Sequence, residues 1–353
     1  MVISVFVYSN IHLIIAFALI SDLIKNSNKN IFINLHVSDL ILLNIRNLLK
    51  SGYYDFLLKR KNIEFNLTGF KTPSSDSNFF KKVYGLYSNY LKFSFYKSDL
   101  VIVPNFSNFY ILFCLKRIKH KRLIYIDEGM SYISFLRFLK NNHRSRSFFF
   151  MSLFSKYASP YSLPRDFNIN SFVFNKIQFN DIKGISKYNF NLIELKDIFS
   201  NFINYINAYK KQIKNHKYTF VVTSPLTDRK YTSYFNEEYD VLYKFLTSYV
   251  IKHPRRRVII KIHYREKYSK YSDLLKISKS ISIYKGYLSF QELIISFPYS
   301  DIVCFHSSAI FSLQNLNLVG RIYCLCDLIK TPSMKTISNS LKAINWKSVI
   351  YVK

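Results

Sequence analysis

Three stretches of this sequence run from apolar residues directly into groups that can move protons or hold phosphate. Leu123-Ile124-Tyr125-Ile126 ends in Asp127-Glu128-Gly129. A carboxylate at the carboxyl end of a strand sits where ligands of open α/β sheets collect, and the glycine lets the backbone turn sharply or approach a ligand. Asp127 is thus a candidate general base, with Glu128 either tuning it by like-charge proximity or only holding the turn. A strand followed by a solvated acidic turn would use the same residues. Val258-Ile259-Ile260-Lys261-Ile262-His263-Tyr264-Arg265-Glu266 repeats the pattern with an imidazole, which can protonate or stabilise a leaving phosphate, or can be purely structural. Asp301-Ile302-Val303-Cys304-Phe305-His306-Ser307-Ser308 runs strand into helix. Serines there cap a helix, and a helix N-terminus with hydroxyls also holds phosphate without a glycine-rich loop or a metal. Between the last two lies Glu292, either a first-turn acid favoured by the helix dipole or an acceptor for ribose hydroxyls.

The elements that would position these groups alternate. Val2–Val7 is a continuous apolar run, as in a strand buried on both faces, and Ile11–Ile24 has the length of a helix. The opening has no basic leader, and Asn10 and His12 interrupt its apolar run, so a first buried strand is expected rather than a signal or a span. Strand signals recur at Ile31–Val37, Ile63–Leu67, Leu100–Val103 and Leu123–Ile126, with helices at Asp39–Leu49, Phe79–Phe95 and Ser107–Ile118. Phe135–Lys187 loses the pattern and reads as loops or a crossing between halves. After a helical segment, Leu195–Ile213, a second alternation follows. Its strands are Thr219–Val222, Val258–Ile262, Ile281–Tyr284, Ile302–Phe305 and Ile322–Leu325, with helices at Glu237–Val250 and Ser289–Ser296. His253-Pro254 precedes a strand and reads as a helix-to-strand turn. Such alternation predicts parallel sheets and an α/β fold of two Rossmann-like domains, residues 1–195 and 196–353, facing across a cleft as in GT-B enzymes.

Composition narrows the partners. The chain has 353 residues, enough for two cores, and 49% hydrophobic against 20% charged residues marks it as globular. Lys and Arg number 51 against 21 Asp and Glu, a net charge of +30 that favours nucleic acid, an anionic membrane face or an acidic glycan. Zinc-finger, helix-turn-helix and aromatic RNA-binding signatures are lacking, so nucleic acid is not expected. Cys114, Cys304 and Cys324 sit in apolar runs, and Cys324-Leu325-Cys326 lacks the second pair of a zinc site, which points to core thiols in a reducing compartment. Asn66-Leu67-Thr68 is a glycosylation sequon by pattern only. No Asp-X-Asp pair is present to hold a divalent cation.

The order of these motifs carries a resemblance. Asp127-Glu128-Gly129 after a mid-chain strand, the strand ending in His263, and Ser307-Ser308 further on resemble the bacterial sialyltransferases with the GT-B fold. They are most like the α-2,8-polysialyltransferase family and the related lipooligosaccharide sialyltransferases. Tyr8-Ser9-Asn10-Ile11-His12 resembles the family's opening strand-turn-helix, and Thr223-Ser224-Pro225-Leu226 the loop that opens its second domain. The resemblance implies Asp127 as base on the acceptor hydroxyl, His263 as acid toward the leaving CMP phosphate, Ser307 and Ser308 on that phosphate and Glu292 on the ribose. Gly129, Lys261, Thr223, Ser224 and His12 complete the expected substrate-binding set. One departure is Tyr264, where the family usually has proline. The implied reaction is inverting transfer of sialic acid from CMP-sialic acid to a capsular or lipooligosaccharide glycan. It would need no cofactor and no metal, in a cytoplasmic protein peripheral to the inner face of the bacterial inner membrane. Another nucleotide-activated sugar, or a non-catalytic protein that binds anionic polymers, would fit the same basic chain.

Overall fold

The structure, a computed structural model, describes residues 1–25, 29–72, 78–104, 111, 114–115, 117–126, 169–173, 190–194, 202–203, 218–223, 235–263, 266–305, 318–330, 335, 338–339, 342 and 349–352. The chain forms two compact units, Met1–Tyr209 and Lys210–Lys353. The expected boundary at 195/196 lies outside the described residues.

Unit 1 is built outward from β1 (Val2–Val7), whose residues are buried from Ile3 onward. A strand buried on both faces has no polar side to alternate, which is why Val2–Val7 reads as an apolar run broken only by Ser4, whose hydroxyl bonds that of Ser98 at 2.5 Å. It leads into α1 (Asn10–Ile24), whose buried residues run unbroken from His12 to Ser21. A helix covered all round this way is a core helix. The rest of the described elements are β2 (Ile31–Ser38), α2 (Leu42–Lys50), α3 (Asp55–Leu58), β3 (Ile63–Phe70), α4 (Phe79–Phe93), β4 (Lys97–Val103), β5 (Lys119–Ile126), β6 (Ile169–Val173) and β7 (Phe190–Glu194). The strands make one parallel sheet in the order β3-β2-β1-β4-β5-β6-β7. The order reverses between β1 and β4, the point beside which doubly wound sheets bind ligands.

Unit 2 repeats the plan with β8 (Tyr218–Val222), α5 (Phe235–Lys252), β9 (Arg257–Lys261), a 3₁₀ segment (Tyr268–Lys276), β10 (Ile281–Ile283), α6 (Phe290–Ser296), β11 (Ser300–Cys304), β12 (Val319–Cys324) and β13 (Val349–Tyr351). The parallel order is β10-β9-β8-β11-β12-β13, so here the reversal falls between β8 and β11. Each unit is therefore Rossmann-like, as the alternation of strands and helices predicts.

One expectation changes. Phe135–Lys187, read as loops, contains β6, and a further strand, β7, follows it. The polar Asn170, Ser171 and Asn191 break the apolar runs that would have announced them. In the basic run Arg255-Arg256-Arg257, Arg256 pairs at 2.8 Å with Asp301, which is 4% exposed. The sequon is spent inside the sheet, where Asn66 donates to Asn34 and Thr68 bonds His36 Nδ1 at 2.7 Å. His253 does form the predicted helix-to-strand turn, its carbonyl accepting from the Arg256 N–H at 3.0 Å. All four cysteines are free and buried.

Candidate functional site

The described part of the site lies at the carboxyl ends of β8 and β9, beside the reversal in unit 2. Thr223 follows β8 directly and His263 comes two residues after β9, so parallel pairing of the strands brings them to one edge. Their coupling is direct. The Thr223 hydroxyl accepts from the His263 backbone N–H at 2.8 Å and donates to the Glu266 carboxylate. The Glu266 N–H in turn donates to the His263 carbonyl at 2.9 Å. Both backbone groups of His263 are thereby fixed, one through Thr223 and one by Glu266.

The bond from the Glu266 N–H to the His263 carbonyl closes the chain on itself just past β9. Tyr264 itself lies outside the described residues.

Glu266 is held from below. Its Oε1 accepts from Lys270 Nζ at 2.6 Å and from the Tyr271 hydroxyl at 2.8 Å, and its side chain is wholly buried. Lys270 also faces Glu238 of α5 at 3.7 Å, and Glu238 Oε2 accepts no hydrogen bond among the described residues. Burial therefore pushes the Glu238 carboxyl up to about 7; Lys270 opposes the rise and Glu266 adds to it. Tyr271 is held protonated far above its ordinary range, chiefly by burial and then by the two carboxylates. This cluster braces the His263 turn from α5 and the 3₁₀ segment together. Only the Glu266–Lys270 spacing, four apart, could have been read from the sequence; the bond from Thr223 to Glu266 spans 43 positions.

Lys261 closes β9. Burial lowers its ammonium pKa, and nearby Glu292 raises it in opposition. The ammonium also sits 4.8 Å from the centre of the Tyr284 ring. A partly desolvated cation at a strand end is suited to a phosphate. Glu292 is fully buried and belongs to a capping box. Its Oε2 accepts from the Ser289 N–H at 2.6 Å, while Ser289 Oγ accepts from the Glu292 N–H at 3.3 Å. The geometry shows the first-turn acid of the two sequence readings, and Ser289-Phe290-Gln291-Glu292 is itself the sequence signature of such a box.

In unit 1, His12 is fully buried in the first turns of α1. Its Nδ1 accepts from the Tyr8 N–H at 3.4 Å, and its ring packs edge-on against Tyr8 at 4.3 Å. β5 ends at Ile126, the residue before Asp127. Asp127, Glu128, Gly129, Ser224, Ser307 and Ser308 lie outside the described residues. Among the described residues no cluster of histidine, cysteine and carboxylate side chains could hold a metal ion.

No protein-family model and no curated protein matches the sequence. Solved structures do share the fold. UDP-GlcNAc 2-epimerase from Methanocaldococcus jannaschii superposes with a TM-score of 0.54 at 13% identity, covering 100% of this chain and 89% of that one. An α/β-galactoside α-2,3-sialyltransferase from Photobacterium phosphoreum gives 0.51 at 15% identity, covering 99% and 98%. UDP-GlcNAc 2-epimerase from Neisseria meningitidis, bound to UDP-GlcNAc, gives 0.55 at 14% identity over 98% and 91%. Two Rossmann-like parallel-sheet units, matched over nearly the whole chain, define the GT-B fold. Fold alone spans both the transferase and the epimerases among these structures.

Proposed function

We propose that the chain is a GT-B glycosyltransferase that moves sialic acid from CMP-sialic acid to a hydroxyl of a capsular or lipooligosaccharide glycan. It does so with inversion and without a metal. The observation that carries this reading is the bracing of His263 by Thr223 and Glu266 at the carboxyl edge of β8 and β9. It fixes the backbone of His263, two residues past Lys261, at the strand edge next to the switch-point strand β8, where a nucleotide is expected. The likeness to a sialyltransferase over nearly both chains and the order of the acid, histidine and serine motifs support it further.

In this reaction the bond from the anomeric carbon to the CMP phosphate breaks as the acceptor oxygen attacks. Asp127 takes the acceptor proton, and His263 gives a proton to the departing phosphate. Lys261, Ser307 and Ser308 hold the phosphate charge, and Ser224 contacts the nucleoside. Preorganised donors of this kind stabilise charge as it develops on the leaving group.

A second reading keeps the fold and exchanges the donor for a UDP-sugar, and the two UDP-GlcNAc 2-epimerases among the similar structures favour it. Thermal unfolding with CMP, UDP and GDP separates the two. Saturating CMP stabilises the protein under the sialyltransferase reading, by about 2.7 kcal/mol at a hundred times its Kd. Stabilisation by UDP with none by CMP would replace that reading with the second.

A further inference from the structure

Helix α4 wears its apolar side outward. Phe80, Val83, Tyr84, Tyr87 and Leu91 are all exposed, with Phe80 at 79%, Tyr84 at 66% and Tyr87 at 60%. At helical spacing these five fall within an arc of about 100°. The opposite face is the smaller and more polar one. Gly85, Asn89 and Phe93 are buried there, and the Asn89 side chain is tied to the Lys71 backbone by two 2.9 Å bonds. A helix that served only to cover the sheet would carry the reverse pattern. The patch continues at both ends. Phe95, just past the helix, is 89% exposed. The start of α2 reaches the same strand end, since Leu42 lies against Gly69 and Lys92 donates to the Gly69 carbonyl, and the neighbouring Leu40 and Leu43 are exposed.

The charge on α4 has one sign, and Asp39 beside Leu40 is paired with Lys71. Helix α4 contains Lys81, Lys82 and Lys92 and no acid. Burial lowers the Lys92 pKa, and the repulsion of nearby Lys71 adds to the effect. Exposed aromatic and leucine side chains flanked by lysines match a bilayer interface, where rings settle at headgroup depth and lysines meet anionic lipid. Two copies of a chain carrying +30 would instead bring like charges together at this face.

We propose that the outer face of α4, with the start of α2, is the surface by which this protein docks on an anionic membrane. Docking there does not depend on the donor or on catalysis, so it is tested without either. The full chain is co-sedimented with vesicles of phosphatidylcholine containing 30% phosphatidylglycerol and with vesicles of phosphatidylcholine alone. Binding is expected to the anionic vesicles, weaker by at least tenfold to the neutral ones, and reduced by salt. The triple change Phe80→Ser, Tyr84→Ser, Tyr87→Ser should lower the affinity at least tenfold. Lys81→Glu should lower it by about fivefold or more, roughly the worth of one lysine near such a surface. Ile251→Ser, which removes an exposed apolar side chain of unit 2, should leave it unchanged. Circular dichroism confirms that each variant is folded. The proposal is overturned if the wild-type chain ignores anionic vesicles, or if the triple variant and Lys81→Glu bind as well as wild type. It is equally overturned if the triple change abolishes a concentration-dependent dimer rather than vesicle binding.

Discussion

Thr223 is the residue that ties the end of β9 to Glu266. Its hydroxyl is at once acceptor for the His263 N–H and donor to Glu266. Valine has the same shape and neither capacity. Thr223→Val should leave a folded protein, destabilised by about 1–3 kcal/mol for the orphaned buried groups. Transfer should fall by about a hundredfold in kcat, the usual effect of a small misplacement of a reacting group. Serine at 223 keeps the hydroxyl and should restore most of the rate, a rescue that a merely structural loss would not show. In unit 1, His36 contributes to the acid response. It is fully buried among Phe6, Phe93 and Tyr96 and bonded to Thr68, and its pKa is lowered to about 3 by burial and then by Lys92. The unfolded chain takes up this proton near 6.5 and the folded chain does not, so stability is full above that pH and is lost as pH falls toward 3. The slope is at most about 1.4 kcal/mol per pH unit. Urea titrations between pH 7 and 4 should show the decline, and His36→Gln should flatten it. Glu238 has the opposite sign. With its pKa raised from 4.5 to about 7, it contributes most below 4.5 and progressively less as pH rises through 7. Glu238→Gln should remove that loss at pH 8.

The elements show which parts of the sequence were readable. Mostly apolar runs announced β1, β4, β8 and β11, whose central residues are buried, although the core helix α1 carries such a run too and only its greater length sets it apart. β6 and β7 carry polar residues within five-residue strands and gave no such signal. The site divides the same way. Strand-end residues such as Lys261 and His263 were visible because their strands were. The brace of Glu266, Lys270, Glu238 and Tyr271 was not, because it is assembled from α5, a turn and a 3₁₀ segment remote in sequence. Glu292 drew attention as a ligand for ribose, although its spacing from Ser289 already spelled a capping box. Ser289→Ala should cost about 1 kcal/mol of helix stability, measured by denaturant unfolding. A stronger local test is Gly320 in β12. An added Cβ there would lie 2.6 Å from Asp301 Oδ1 and 2.8 Å from the Tyr299 carbonyl, and Asp301 is pinned by Arg256, Tyr249 and the Arg321 N–H. Gly320→Ala is therefore expected to destabilise unit 2 by roughly 1–3 kcal/mol.

At the scale of the molecule, two sheets of the same winding give two switch points, and the described site falls at the second. The net charge of +30 says nothing about the fold; it favours anionic partners over cationic ones. Among the described residues no helix is long and apolar enough to cross a membrane. Transfer measured with purified protein, CMP-sialic acid and a panel of sialylated and galactosylated acceptors tests the central claim most directly. The account predicts a sialylated product and release of CMP by the wild-type chain. Asp127→Ala should lose transfer while still being stabilised by CMP. Neither transfer nor hydrolysis of CMP-sialic acid by a folded wild-type protein, across the whole panel, would contradict the account.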